Sequence, residues 1–77
     1  MGNEVQSHTA WCIVRFAHGR FERVREGYKS AVNARRSIPS VAKAYLDEGG
    51  DRTATYAVGK YTVGSVVVEG SFTRCCA

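Results

Sequence analysis

Five side chains in this 77-residue sequence are cysteine or histidine, the types that most often hold zinc and that supply a thiol nucleophile or an imidazole base: Cys12, Cys75, Cys76, His8 and His18. Structural zinc is usually held by paired ligands such as C-x-x-C or H-x-x-x-H, whose spacing lets two donors converge from one turn. No such pair occurs here, and the adjacent Cys75 and Cys76 are poorly spaced to chelate one ion. Nucleophilic catalysis needs a base held beside Ser, Thr or Cys in an enclosed place. His8 falls in a polar N-terminal stretch and His18 in a turn candidate, so neither offers that. A chain this short also has little interior for a water-excluding pocket, which is where catalytic pKa shifts arise. Gly59-Lys60 hints at a phosphate-binding loop, but that motif needs an earlier glycine and a Ser or Thr after the lysine. Those places hold Ala54 and Tyr61. The expectation is a protein without metal, cofactor or catalytic activity.

Positive charge is the chemistry that stands out. The formal net charge is +4, and it is unevenly distributed. From Arg15 to Arg36 there are seven basic residues against Glu22 and Glu26, whereas the rest of the chain has four basic and five acidic residues. Eight of the eleven cations are arginine, whose planar fork grips carboxylate or phosphate with two parallel hydrogen bonds. Arg20, Arg23, Arg25, Lys29, Arg35 and Arg36 are therefore the candidate binding residues, for an acidic protein surface or for nucleic acid. Phosphate contacts would give sequence-independent affinity, with Phe21, Tyr28 or Trp11 available to stack on bases. The plain alternative is a solvated face that keeps the protein in solution.

The elements that must position these residues follow from periodicity. Ala10–Ala17 (AWCIVRFA) is rich in β-branched and aromatic residues, and Arg20–Glu26 (RFERVRE) alternates, with His18-Gly19 between them. A two-residue turn there sets Phe16 opposite Phe21, Arg15 opposite Glu22 and Ile13 opposite Val24. In that register Arg23 and Arg25 share one face, and both faces are chemically mixed, so the buried one is not decided. Tyr28 to Glu48 carries Ala34, Ile38, Val41, Ala42, Tyr45 and Leu46 at helical spacing, stopped by Gly49-Gly50. Pro39 inside it predicts a break or kink near Ser37 to Pro39, with Ser37 capping a second helical piece. Arg52–Val58 and Tyr61–Val68 read as a second hairpin turning at Gly59-Lys60, and Ser71–Cys76 either prolongs the fourth strand or forms a fifth. The fold class is α+β: an antiparallel sheet of two hairpins with one helix, or a kinked helix pair, on one face (ββαββ).

Residues 10–77 are expected to form a single domain behind a flexible arm, residues 1–9. No apolar run reaches the roughly 18 residues of a membrane span, and the N-terminus lacks the pattern of a signal peptide. Three cysteines, an odd number, make a poor disulfide framework and fit reduced thiols in a cytoplasmic protein. Val66-Val67-Val68 suits either a strand buried on both faces or an edge that pairs with another copy, so the chain is expected to be a monomer or a weak homodimer.

In size and element order the chain resembles the small proteins that phages and other mobile elements encode against host defences, anti-CRISPR proteins in particular. The hairpins AWCIVRFAHGRFERVRE and RTATYAVGKYTVGSVVV around one helical segment carry the likeness. What the resemblance implies is a non-catalytic inhibitor that binds a protein complex such as a CRISPR effector ribonucleoprotein and blocks its nucleic-acid binding or activation. Many such inhibitors are acidic and mimic DNA. This chain is basic, so its arginines would meet acidic protein surface or nucleic acid.

Overall fold

The computed structural model describes residues 10–62 and 65–74. Five elements follow one another: β1 (Ala10–Ala17), β2 (Arg20–Tyr28), α1 (Ala31–Asp47), β3 (Thr55–Thr62) and β4 (Ser65–Arg74). The strands form one antiparallel sheet in the order β2-β1-β3-β4, so β1 and β3 are central and β2 and β4 are edges. The expected ββαββ architecture is therefore present, with four strands. Ser71–Arg74 prolongs β4 and forms no separate strand, while Cys75 and Cys76 lie outside the described residues, as does the arm of residues 1–9.

The first hairpin turns where its sequence asks. His18 and Gly19 have φ of 53° and 73°, the sign pattern of the type I′ turn that matches strand twist. Phe16 pairs with Phe21 and Arg15 with Glu22, as expected. Beyond Val14↔Arg23 the register slips: Ile13 pairs with Arg25, leaving Val24 as an extra residue, and a second slip places Trp11 opposite Tyr28. The expected Ile13 and Val24 pairing is thus replaced by a bulge, which breaks the period of two that alternation assumes. Its effect is to bring Val24 onto the core beside Ile13.

The helix is a single unbroken element, in contrast to the expected break. Ser30, not Ser37, is the cap: its backbone is extended and its hydroxyl accepts the Asn33 amide proton at 3.1 Å. Pro39 sits inside the helix on the exposed side, as does Arg35, whose carbonyl loses its usual donor. Water can supply that carbonyl's missing hydrogen bond there, so the cost of the proline is reduced and packing of the buried stripe outweighs it. The helix ends at Gly49-Gly50 as predicted, with Gly50 N–H donating to Tyr45 O and Gly49 N–H to Leu46 O, each at 2.9 Å.

Ala34, Ile38, Val41 and Ala42 of α1 pack on Ile13, Tyr56 and Val58 of the central strands and on Ala54, with Trp11, Val24, Tyr28 and Tyr45 closing the margins. Removing each fully buried side chain such as Ile13 or Val58 from water contributes on the order of 1.5 to 3 kcal/mol.

The second hairpin corrects the turn expectation. Gly59 and Lys60 lie inside β3, which pairs with β4 from Lys60↔Val67 through Thr62↔Ser65. Glycine serves close approach here: a Cβ on Gly59 would fall 2.8 Å from Val66 Cγ1 and 3.3 Å from Cys12 Sγ and Val14 Cγ2. Gly59→Ala is accordingly expected to lower stability by about 1 to 3 kcal/mol, read as a fall in the urea midpoint at constant slope. An unchanged midpoint would show that the neighbours yield freely.

Candidate binding surface

The bulge at Val24 redistributes the arginines. Arg23 stays on the sheet face away from the helix, its guanidinium 4.3 Å from the Tyr61 ring centroid and its Nε 3.3 Å from Glu26 Oε1. Residues 23 and 26 would face opposite ways in a regular strand; the extra residue puts them together. Arg25 goes the other way, into a groove between β2 and the helix bordered by Val41, Ala44, Tyr45 and Glu48. The expectation that Arg23 and Arg25 share a face is overturned by this one irregularity.

The other candidates are spread around the helix layer. Arg20 stands beside His18 at the hairpin end, and Lys29 immediately precedes the cap Ser30; both are exposed. The sheet-facing positions of α1 set the angle of the rest at about 100° per residue. Arg36 then points away from the sheet, and Arg35 lies on the flank opposite the one that borders β2. The structure therefore brings these residues into one hemisphere, not into one stripe.

Arg15 illustrates a cation used internally. It is largely buried, its Nη2 3.3 Å from Glu22 Oε1 and its guanidinium carbon 3.6 Å from the Tyr45 ring centroid. Tyr45 can lie flat here because Gly50 has no side chain: a Cβ there would meet the ring at 2.5 Å. Lys43 pairs with Asp47 one helical turn on, at 3.3 Å. Arg20, Arg25, Lys29, Arg35 and Arg36 have no carboxylate within ion-pair distance among the described residues.

What sequence reasoning missed is the second face of the sheet. Val14, Phe16, Phe21, Val66, Val68 and Phe72 come together there, with ring centroids 4.7 Å apart for Phe16 and Phe21 and 5.3 Å for Phe21 and Phe72. Around Val14, Phe21, Val66, Val68 and Phe72 lies an open recess of about 390 Å³. Phe21 is 68 % exposed. The apolar alternation of β4 signalled this face, but only pairing across β3 aligns it with the first hairpin.

Among the described residues no three His, Cys, Asp or Glu side chains cluster as a metal site, and no helix is long and apolar enough to cross a membrane. Asp51 is held below its ordinary pKa chiefly by the Thr53 hydroxyl, at 2.7 Å, and the Thr53 amide, at 2.8 Å, with smaller help from nearby His18. Compared with protein-family models, curated proteins and solved structures, the chain matches none.

Burial raises the pKa of the Cys12 thiol; Arg23 pulls it back, Glu26 adds to the rise, and a hydrogen bond with the Gly59 backbone lowers it. A group whose folded pKa lies above its unfolded value, about 8.5 for cysteine, contributes stability that is present below that value. The contribution is lost as pH rises through the folded pKa. In a Cys75→Ser, Cys76→Ser background, the urea midpoint of the native Cys12 protein should therefore fall relative to Cys12→Ala as pH rises above about 8.5. A difference that does not change with pH would remove the account.

Proposed function

We propose that this chain is a non-catalytic binding protein that docks on an acidic macromolecular surface through Arg20, Arg25, Lys29, Arg35 and Arg36. Its role is that of an inhibitor of the complex it binds, and the anti-CRISPR resemblance makes a CRISPR effector ribonucleoprotein the target to test. The observation that carries this reading is the division of the cations. Arg15, Arg23 and Lys43 have carboxylate partners, while these five are exposed with none among the described residues, as are Arg52 and Arg74; what sets the five apart is that they come from the one strongly basic stretch of the sequence.

Their placement on the helix supports it. Arg35 and Arg36 occupy the first half of α1, whose first turn has no acid, and Asp47 with Glu48 sits at its end. The helix dipole favours the reverse order, so these charges do little for the helix itself. Spread over one hemisphere, they form a broad positive field suited to steering toward an anionic partner and to rim contacts around a docked surface.

The triple reversal Arg25→Glu, Lys29→Glu, Arg36→Glu should abolish binding to a guide-loaded effector while leaving the protein folded with a cooperative thermal transition, since exposed substitutions shift stability by no more than about 0.5 kcal/mol each, in either direction. Binding to random duplex and single-stranded probes, at low and high salt, separates the alternative of direct nucleic-acid binding. That alternative gives log affinity falling with log salt by about 0.9 per phosphate contact on duplex. Unimpaired binding of the triple variant to every partner overturns the assignment of these residues.

A further inference from the structure

The sheet face away from the helix has the composition of one half of a β-sandwich core, and we propose that it is the interface of a homodimer in which two sheets pack face to face at a right angle. Neither a sheet nor a helix buries its apolar side alone; α1 serves one face, and the other presents an aromatic and valine surface. The edges point the same way. β2 slips register twice against β1, and β4 is irregular between Tyr56↔Thr73 and Val58↔Glu69, where Gly70 has φ of 80°. Bulged edges resist strand-to-strand pairing, which directs association to the face and away from the Val66-Val67-Val68 edge.

A second copy is the occupant because the face is complementary to itself. Glu26 stands in register with Cys12 on β2, and Arg74 in register with Thr55, hence with Phe16, on β4. They mark opposite corners of a patch that is nearly square. From Cys12 to Phe16 is four residues, about 13 Å, and from β2 to β4 is three strand spacings, about 14 Å. The remaining corners are Phe21 and Val68. A two-fold axis lying in the interface along the diagonal from Phe21 to Val68 crosses the two sheets orthogonally, one of the two established ways for sheets to pack. That axis exchanges the other corners, so Glu26 of each copy meets Arg74 of the other, and it lays Phe21 against its own symmetry mate. Arg23 and Glu26 offset each other and Arg74 leaves a single net positive charge among these three, which suits a copy of the face offering Glu26 better than a polyanion. The helices of such a dimer face outward, displaying Arg25, Lys29 and Arg36 twice, which is a route to avidity on an extended acidic target.

Sedimentation velocity under reducing conditions, from low-micromolar to several hundred micromolar chain, tests this apart from any partner. The native chain should reach dimer mass, and Phe21→Glu should remain monomeric with an unchanged circular dichroism spectrum, since that ring is already mostly exposed. Glu26→Arg should weaken the dimer at least about tenfold by setting like charges against each other twice, and adding Arg74→Glu should restore it. A native chain that stays monomeric throughout overturns the proposal. So does a dimer indifferent to Phe21→Glu but broken by Val67→Lys, which would mean pairing through the β4 edge. A dimer weakened by Glu26→Arg and not restored by the charge swap overturns the orthogonal arrangement.

Discussion

Burial of Ile13, Tyr56 and Val58 beneath Ala34, Ile38, Val41 and Ala42 is the contact on which the rest of the molecule depends. It decides which face of the sheet is interior, and it uses the one helix among the described residues to do so. An α-helix is about 10 Å wide with its side chains, so one helix covers one face of four strands and no more. The opposite face has to accommodate its own apolar side chains. It does this locally by setting the small residues Cys12, Ala57 and Gly59 in the central strands, with Val66 and Val14 close over Gly59; Cys12 and Ala57 are buried although no helix among the described residues lies on that face.

The electrostatics follow from that layering and from one irregular residue. Because Val24 bulges into the core, Arg23 and Arg25 part, one to lie over the Tyr61 ring, where its charge influences the Cys12 thiol, the other to line the helix groove. Arg15 is taken into the interior margin by Glu22 and Tyr45. What remains in solvent is a set of unpaired cations on the helical side and, on the other, an apolar face bordered by the Arg23 and Glu26 pair and by Arg74. The molecule is thus two-sided, with most of its unpaired positive charge on one side and its exposed apolar surface on the other, and the two are governed by different physics: long-range, salt-screened attraction and short-range exclusion of water.

Local signals were legible wherever a few adjacent residues set the outcome. His18-Gly19 specifies its turn, the register next to that turn follows by counting, the stripe from Ala34 to Tyr45 specifies a helix, and Gly49-Gly50 ends it. The helix runs unbroken from its Ser30 cap where Pro39 suggests a break with Ser37 as cap, because the cost of a proline depends on whether the carbonyl it strands faces protein or water. Gly59-Lys60 reads as a turn for the same reason: glycine serves both tight turns and close packing, and nearest neighbours do not distinguish them.

By itself, then, the sequence determined the α+β class, the order of elements, the first hairpin's turn and the excess of positive charge, since each depends on composition or on contacts a few residues apart. Only the tertiary structure decided which sheet face the helix covers, that Val24 bulges, that Gly59 lies under Val66, and that Arg23 parts from the cations of the helical side. Those outcomes depend on side chains from distant segments competing for the same space, and a one-residue slip in a strand reverses every side chain beyond it.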